Sequence, residues 1–361
     1  MLILRSCNII GRIPDFVGEF SGLKTLDLSF NKLEGEIPDS FLGVKQAAYI
    51  YLTGNELNGS VPDWIIKDGK SVDLSYNNFR NESSCQQRYI NLFGSASMGN
   101  VSGRTVPCLR IPPCQKKFYS FHINCGGTEA TIEGNLYEDD TDPAGPSRFY
   151  QRSNWAASTT GHFMDDDRNP DSYIWTNSTK LSANTSSLYM DARLSPLSLT
   201  YYGFCMESGN YTVSLHFAEI MFTKDNTSSS LGRRFFDIYI QGKLVQKNFS
   251  IQNEAGGVGK AIIKNFTATV TGGALEIRFY WAGKGTTGLP VRGVYGPLIS
   301  AISVTSADFK PPSENSSSTG TSVGTVVGIV AAAVVFVFLI LGILWWKGCF
   351  GQKISMSHGI F

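Results

Sequence analysis

The sequence predicts a mainly β protein, in which a short repeat solenoid is followed by a β-sandwich and one membrane-spanning helix. Three observations predict it. A 24-residue block recurs near the N-terminus, apolar residues alternate with period two through the middle of the chain, and residues 323–346 contain no charged side chain. The three patterns occupy successive parts of the chain, which indicates separate domains.

The repeat covers residues 1–84. The apolar, Asn, Gly and Pro positions of LDLSFNKLEGEIP recur in register three more times, the last copy being shortened: Leu28, Asn31, Leu33, Gly35, Ile37 and Pro38; Leu52, Asn55, Leu57, Gly59, Val61 and Pro62; Leu4, Cys7, Ile9, Gly11, Ile13 and Pro14; Leu74, Asn77 and Phe79. This pattern resembles the leucine-rich repeat of plant receptors. Such repeats each supply one short strand and bury their leucines by stacking.

Two expectations follow for the solenoid. Each Asn should hydrogen-bond backbone at its turn, and Cys7, at an Asn position, should be a buried thiol. No cap precedes Leu2, so we expect an N-terminally incomplete solenoid in a chain that starts inside a longer protein. The outward strand positions either form a concave ligand surface or a solvated face, and we favour the solvated face; they are Lys24, Asp27, Tyr49, Tyr51, Thr53 and Asp73.

Residues 85–117 form a linker that carries cysteines among Gly, Ser and Pro. With two cysteines further on, the disulfide candidates are Cys85, Cys108, Cys114, Cys125 and Cys205. Disulfides are expected in an oxidising compartment. We expect Cys85 to pair with Cys108 and leave the other three unassigned, because sequence does not fix connectivity.

Residues 118–305 show strand periodicity. In Tyr211 to Phe217 the apolar residues alternate with polar ones, as in a half-buried strand. Gly272-Gly273 and Gln241-Gly242 each separate two such runs and predict tight hairpins. Frequent strands without a long amphipathic helix indicate an antiparallel β-sandwich.

Five segments of this domain resemble the malectin domain: INCGG (123–127), YTVSLHFAEI (211–220), RRFFDIYIQGKLV (233–245), LEIRFYWAGKGT (275–286) and GPLISAISV (296–304). The resemblance implies a jelly-roll sandwich with ligand loops at one end. Malectin itself is a lectin for glucosylated N-glycans. Joined to leucine-rich repeats and one span, the domain resembles the extracellular half of plant leucine-rich-repeat malectin receptor-like kinases.

The resemblance also implies candidate ligand residues. Tyr137 falls where malectin places a ligand-contacting tyrosine. The other loop positions differ, since Arg193 to Ser195 stand where malectin has an aromatic residue and Tyr295-Gly296-Pro297 replace its last loop, so we do not expect the same glycan. Trp155, Tyr201 and Tyr202 either line a different pocket or belong to the core, and both alternatives stay open.

Residues 306–322 form a Ser/Thr-rich stalk, 323–346 a transmembrane helix and 347–361 a short cytoplasmic tail. Trp345, Trp346 and Lys347 favour a cytoplasmic C-terminal end, as in a single-pass type I protein of the plasma membrane. Gly324, Gly328 and Ala332 lie on one helix face and would allow close helix pairing. Ten N-glycosylation sequons precede the helix and none follows it: Asn58, Asn81, Asn100, Asn177, Asn184, Asn210, Asn226, Asn248, Asn265 and Asn315.

No catalytic motif, metal site or cofactor site is predicted. The acidic groups Asp139, Asp140, Asp142 and Asp165–Asp167 lack EF-hand spacing and are expected in solvated loops. The kinase motifs of the resembling family are absent, and a net charge of +1 gives no reason to expect nucleic acid.

We therefore expect a cell-surface receptor-type protein without its own kinase, binding a carbohydrate or peptide ligand and pairing with a receptor-like kinase. The alternatives are a truncated gene model of an active receptor serine/threonine kinase and a carbohydrate-binding lectin.

Overall fold

The computed structural model describes residues 1–67, 71–79, 86–87, 90–91, 114–163, 173–177, 187–289, 295–309 and 323–346, with backbone alone at 66–67, 86–87, 90–91, 323–333 and 345. The chain divides into two units, Met1–Phe309 and Lys310–Phe361. The first unit contains both the solenoid and the sandwich.

The solenoid strands stack in parallel, as the repeat predicts. One sheet has the order β1-β3-β5-β7-β9-β8, and a second has the order β2-β4-β6. The strands are β1 Leu2–Ile3, β2 Ile10–Arg12, β3 Thr25–Asp27, β4 Lys32–Gly35, β5 Tyr49–Tyr51, β6 Glu56–Leu57, β7 Ser71–Asp73, β8 Gln86–Gln87 and β9 Ile90–Asn91. Short 3-10 helices at Asp15–Glu19 and Asp39–Val44 and helix α1, Asp63–Lys67, close the other side.

The predicted asparagine hydrogen bonds are present. Asn31 Nδ2 donates to Leu28 O at 2.9 Å, and its Oδ1 accepts from Ile9 N at 3.1 Å. Asn55 repeats the arrangement, donating to Leu52 O at 2.8 Å. Each Asn thus ties its own turn to the preceding repeat. The expectation for Cys7 is wrong, because its thiol is exposed in a first repeat that has a described neighbour on one side only.

Two six-stranded sheets form the sandwich. The outer sheet has the order β11-β12-β10-β24-β18-β21, and the solenoid-facing sheet has the order β13-β14-β17-β22-β19-β20. Their strands are β10 Ser120–Cys125, β11 Ala130–Ile132, β12 Asn135–Asp140, β13 Ser147–Gln151, β14 Trp155–Thr160, β17 Ser198–Phe204, β18 Gly209–Ala218, β19 Arg234–Ile240, β20 Lys243–Phe249, β21 Ala261–Val270, β22 Ala274–Gly285 and β24 Ala301–Ser306. A small sheet joins β15 Ile174–Thr176, β16 Asp191–Leu194 and β23 Leu298–Ile299, with helix α2 at Ile251–Glu254 and 3-10 helices at Ser187–Tyr189 and Ser228–Leu231.

The period-two pattern places the core as predicted. Val213, Leu215 and Phe217 of β18 are fully buried between the sheets. Most of the strand pairs are antiparallel, although β10 and β12 pair in parallel. The turn Gln241-Gly242 joins the antiparallel strands β19 and β20 with both residues at positive φ, which confirms that hairpin.

The second predicted hairpin is wrong. Strand β21, before Gly272-Gly273, pairs with β18 in the outer sheet, whereas β22 pairs with β17 and β19 in the other sheet. The two glycines therefore carry the chain from one layer to the next. The apolar faces of both strands point into the core from opposite sides, which a hairpin within one sheet would not allow.

One disulfide lies among the described cysteines. Cys114 is bonded to Cys205, with Cα atoms 5.5 Å apart, so the end of the linker is tied to the sandwich. Cys125 is a buried free thiol and is not a disulfide partner. Burial raises the pKa of this thiol well above its usual range. The predicted pair Cys85 and Cys108 lies outside the described residues.

The sandwich extends slightly beyond the predicted boundary at 305. The backbone N–H of Asn210 donates to Asp308 Oδ2 at 2.7 Å, and the Phe309 ring stacks on Tyr119 at 4.1 Å. The first residues assigned to the stalk therefore belong to the folded unit.

The second unit contains helix α3, Val323–Trp346, at the predicted bounds. By length and hydropathy, no helix among the residues described here qualifies as a candidate membrane span.

Candidate functional site

The aromatic residues singled out by sequence do not form one pocket. Trp155 and Tyr201 are fully buried in the sandwich core, which confirms the core alternative for both. The Trp155 Nε1–H donates to Glu138 Oε2 at 2.9 Å, and the Tyr201 hydroxyl donates to Asp140 Oδ2 at 2.6 Å. Their polar atoms are thus satisfied inside the domain, as buried Trp and Tyr require.

Asp140 anchors a buried ion pair, contrary to the expectation of a solvated loop. Arg193 and Asp140 are both fully buried, and the guanidinium Nη2 lies 2.8 Å from Asp140 Oδ1. Arg193 Nε also donates to Asp140 Oδ2 at 3.1 Å. Removing one partner of such a pair leaves an uncompensated buried charge, so this arrangement is structural. No cluster of three or more metal-ligating side chains occurs in the described ranges, and Asp165–Asp167 lie outside them.

Tyr137 lies in a polar aromatic cluster on the outer sheet, with His122, Tyr189, His216 and Ser303. The His122 and Tyr137 rings are 5.2 Å apart, and the His216 ring meets Tyr137 edge-on at 6.2 Å. His122 Nδ1 is 2.8 Å from Ser303 Oγ, and the Tyr189 hydroxyl is 3.0 Å from His216 Nδ1. Burial, and to a lesser extent His122, lowers the pKa of His216 to about 4. His216 is therefore neutral at mildly acidic pH.

Sequence reasoning found Tyr137 and missed the two histidines and Tyr189. Their signal was available, since His122 and His216 occupy alternate positions that face away from the core in β10 and β18. What brings them together is the pairing of β10, β24 and β18, which joins residues about a hundred positions apart.

The fourth predicted residue, Tyr202, lies where the sandwich meets the solenoid. Its hydroxyl is 2.7 Å from the Tyr76 hydroxyl, which is also 3.1 Å from Thr200 Oγ1. Burial of the phenols raises the pKa of Tyr202 well above its usual range. Tyr202 is therefore an interface residue and does not face solvent.

The same interface continues along the strand face of the solenoid. Thr160 Oγ1 donates to Asp73 Oδ2 at 2.5 Å, and Ser147 Oγ donates to Val72 O at 2.6 Å. The rings of Tyr49 and His162 stack at 4.2 Å with planes 9° apart. The preferred expectation of a solvated concave face is thus wrong, because the sandwich covers it: Asp27, Tyr51, Thr53 and Asp73 are buried, Tyr49 is half-buried, and Lys24 alone of the six is exposed.

Four equivalent repeat positions point toward the sandwich. Ser6, Phe30, Gly54 and Tyr76 each precede the turn residue and have φ between 52° and 68°. A left-handed conformation costs a residue other than glycine roughly 1–3 kcal/mol. Phe30 offsets this cost by packing on Tyr280 with ring centroids 4.2 Å apart, and Tyr76 does so through its contacts with Tyr202.

A cleft of about 390 Å³ opens between these positions and the sandwich. Its size falls in the range of ordinary small-molecule sites, about 300–1,000 Å³. It is lined by aromatic, charged, amide and hydroxyl side chains and one glycine: Ser6, Asn8, Phe30, Asn31, Lys32, Gly54, Asn55, Glu56, Tyr76, Arg278 and Tyr280.

Gly54 is required at the floor of the cleft. A Cβ at this position would lie 2.6 Å from Phe30 Cδ1, and the backbone has φ +68°. A side chain at this position would therefore clash with the Phe30 ring unless that ring moved.

Arg278 forms one wall of the cleft between two aromatic rings. Its guanidinium lies 4.8 Å from the Tyr76 centroid and 4.6 Å from that of Tyr239. Burial raises the pKa of the neighbouring Glu276, and the positive charge of Arg278 opposes this rise. Stacking between two rings fixes the orientation of the planar guanidinium.

Backbone N–H groups beside the cleft are already paired. Those of Leu28, Phe30 and Gly54 donate to carbonyls of the next repeat, at 2.8–2.9 Å. Aromatic faces with Lys32, Glu56 and Arg278 suit a compact ligand that has both apolar and hydrogen-bonding surface.

Two family models match parts of this chain. The family model described as Malectin domain matches residues 119–302, and that described as Leucine Rich Repeat matches residues 22–44. The chain belongs to the malectin family. Its malectin domain and preceding repeats therefore match, in the same order, the extracellular part of leucine-rich-repeat malectin receptor-like kinases, as the sequence indicated.

Curated relatives include two probable leucine-rich-repeat receptor-like serine/threonine kinases of Arabidopsis thaliana. One is 51% identical over 352 residues, covering 94% of this chain and 34% of the relative. The other is 50% identical over 360 residues, covering 95% of this chain and 35% of the relative. The chain thus spans about a third of the length of these relatives, and the domains it matches are not catalytic ones.

Two solved structures that match the chain each cover about half of it. The plant receptor-like kinase FER matches 52% of this chain and 42% of its own, at 22% identity and a TM-score of 0.34. A β-glucuronidase of Bacteroides uniformis matches 52% of this chain and 18% of its own, at 19% identity and a TM-score of 0.35.

Proposed function

We propose that this chain is the ligand-recognition part of a plant cell-surface receptor, and that the cleft between solenoid and sandwich binds the ligand. The observation that carries the site is the cleft itself, where Lys32, Glu56 and Arg278 converge with the rings of Phe30, Tyr76 and Tyr280. Pockets with a few convergent polar groups on an aromatic lining are typical binding sites.

The test is binding to full-length chain in detergent, measured on an array of glycans and peptides. Lys32→Ala and Glu56→Ala should lower the signal of any specific ligand about tenfold, because each removes one charge-assisted hydrogen bond of about 1.4 kcal/mol. Lys24→Ala is the matched control, since Lys24 is an exposed solenoid lysine outside the cleft. Equal signals for all three variants and the parent would exclude the cleft as the ligand site.

A carbohydrate site at Tyr137 is the second candidate. Its basis is the ring cluster of Tyr137, Tyr189, His122 and His216, because aromatic faces and imidazoles recognise sugar C–H and hydroxyl groups. All four side chains are only 5–9% exposed, which leaves little of these faces accessible to a sugar. We expect weak binding, about −4 to −6 kcal/mol. A glycan array on which Tyr137→Ala retains the full signal of the parent would exclude this site.

We further propose that helix α3 anchors the chain in the plasma membrane with the N-terminal side outside. Support comes from 24 residues without a charge, from the flanking Trp345, Trp346 and Lys347, and from the ten sequons before the helix. A C-terminal epitope tag should be reached by antibody only after the cells are permeabilised. Staining of intact cells would overturn this orientation.

Signal output requires a partner kinase or sequence beyond this chain. If Gly324, Gly328 and Ala332 form a pairing face, the helix brings the chain beside a full-length receptor-like kinase. Replacing Gly324 and Gly328 by Ile should reduce helix association in a membrane reporter assay severalfold, and an unchanged signal would exclude the pairing face. The truncated-gene-model alternative is tested by the transcript downstream of Phe361, which would encode the kinase motifs.

A further inference from the structure

The four edges of the two large sheets are protected in different ways. An exposed strand edge presents unpaired N–H and C=O groups and invites pairing with another chain, so proteins shorten, cover or charge their edges. The outer sheet ends at β11 and β21, and the solenoid-facing sheet ends at β13 and β20.

Two of these edges are protected by ordinary means. Strand β11 has only three residues, too short to act as a template. Strand β13 packs against the solenoid, where Ser147 Oγ donates to the Val72 carbonyl at 2.6 Å.

The other two edges are long and lie on the same side of the sandwich. Strand β21 has ten residues and β20 has seven, and among the described strands each pairs on one side only. Phe249 of β20 contacts Phe217 of β18, the neighbour of β21, at 4.8 Å between ring centroids. Exposed apolar side chains also mark both edges, with Ile263 49% and Leu244 40% exposed.

Each long open edge carries a glycosylation sequon. Asn265 lies at the middle of β21. Its side chain is accessible for glycosylation, because Asn265 and Thr267 are exposed while Phe266 packs against the core. Asn248 lies on β20 beside a register shift relative to β19, and its Oδ1 accepts from Lys284 Nζ at 2.9 Å. Attachment through Nδ2 would leave that hydrogen bond in place.

We propose that N-glycans on Asn248 and Asn265 cover the two open edges and prevent them from pairing with a second copy of this chain. A glycan is large and hydrated, so it blocks approach along the strand as a short edge or a covering solenoid does elsewhere in the molecule. The inference rests on the secretory route of the proposed function, and it assigns to these two sequons a role that the loop sequon Asn226 does not share.

The test compares the full chain, expressed in plant cells and solubilised in detergent, with the double variant Asn248→Gln/Asn265→Gln. Glycopeptide mass spectrometry first establishes which sequons are occupied. Light scattering coupled to size exclusion should then show association of the double variant with an apparent dissociation constant at least about tenfold lower than that of the parent. Asn226→Gln is the matched control, because it removes one glycan from an exposed loop.

Two further measurements separate edge pairing from misfolding. Endoglycosidase trimming of the folded parent should produce the same association without a mutation. Asn265→Lys in the Asn248→Gln background should reduce association, because an edge lysine opposes pairing by charge. Unmodified Asn248 and Asn265 in a parent glycosylated elsewhere, or a double variant that remains as monomeric as Asn226→Gln, would overturn the proposal. A parent without glycan at any sequon would overturn the secretory route as well.

Discussion

The two sheets of the sandwich bury their residues in different ways. In β17 of the solenoid-facing sheet all seven residues are buried, whereas in β21 of the outer sheet exposed residues alternate with partly or fully buried ones. Core packing covers one face of each sheet, and on the second face of β17 the solenoid residue Tyr76 contacts Thr200 and Tyr202. The comparison shows that the solenoid and the sandwich of this chain share a buried interface, with Tyr76, Tyr202 and Asp73 at its centre.

Loss of the Tyr76 side chain should destabilise the interface between solenoid and sandwich most strongly. Tyr76 is 4% exposed and contacts Tyr202, Thr200 and Arg278. Tyr76→Ala should lower the free energy of unfolding by about 3–5 kcal/mol, the usual cost of deleting a buried ring. Tyr76→Phe keeps the ring and should cost about 1 kcal/mol for the hydroxyl bonds.

Denaturant unfolding of both variants in detergent measures this difference. If the Ala variant is no less stable than the Phe variant, the ring is not packed between solenoid and sandwich as described.

Acid should destabilise the outer sheet through His216. Because burial lowers the folded-state pKa of His216 from 6.5 to about 4, the unfolded chain binds more protons between these values. Stability is therefore full above pH 6.5 and falls as the pH drops toward 4. Melting temperatures from pH 7 to pH 4 should show a smaller fall for His216→Gln than for the parent, and parallel curves would contradict the assignment.

The sequence predicted those features whose interacting residues are close together in the chain. The repeat strands, the asparagine hydrogen bonds and the alternation of β18 depend on residues close in sequence, and all were predicted. For Tyr202 the choice between a pocket and the core stayed open, because its partner Tyr76 is 126 residues away and no local sequence pattern predicts that contact. The same holds for Trp155 and Tyr201, because the sequence alone does not distinguish a large aromatic residue in a core from one in a sugar-binding site.

The cleft was missed for a similar reason. Its floor comes from Gly54, which replaces the Phe30 and Tyr76 of the adjacent repeats, and its wall comes from Arg278 and Tyr280. Gly54 could be seen in the aligned repeats. The residues of the wall belong to the sandwich, and the sequence does not show that they lie beside the glycine.

Gly54→Ala tests the packing at the cleft floor. The new methyl group would meet Phe30 Cδ1 at 2.6 Å in a backbone that disfavours alanine, so the free energy of unfolding should fall by about 1–2 kcal/mol. Gly22→Ala is the control, since a Cβ there meets nothing within 4 Å and φ is not in the left-handed region. Equal thermal stability of the two variants would contradict the close contact of Phe30 with Gly54.

The smallest effects are expected at the exposed sequons. Asn58, Asn210 and Asn226 are exposed, and Asn→Gln at each should change stability by less than about 0.5 kcal/mol while removing one glycan mass. Asn177 is only 6% exposed and should be unmodified, because a glycan does not fit in a buried site. Mass spectrometry of tryptic glycopeptides decides, and a fully occupied Asn177 would contradict its burial.

Photo-crosslinking from Tyr49 tests most directly whether the sandwich covers the strand face of the solenoid. The Tyr49 and His162 rings stack at 4.2 Å, although the residues belong to different domains. With p-benzoylphenylalanine at position 49 of the full chain, irradiation should join the solenoid to the peptide that contains His162, and the same probe at the exposed Lys24 should not. A Tyr49 probe that forms no link to the sandwich would contradict the shared interface.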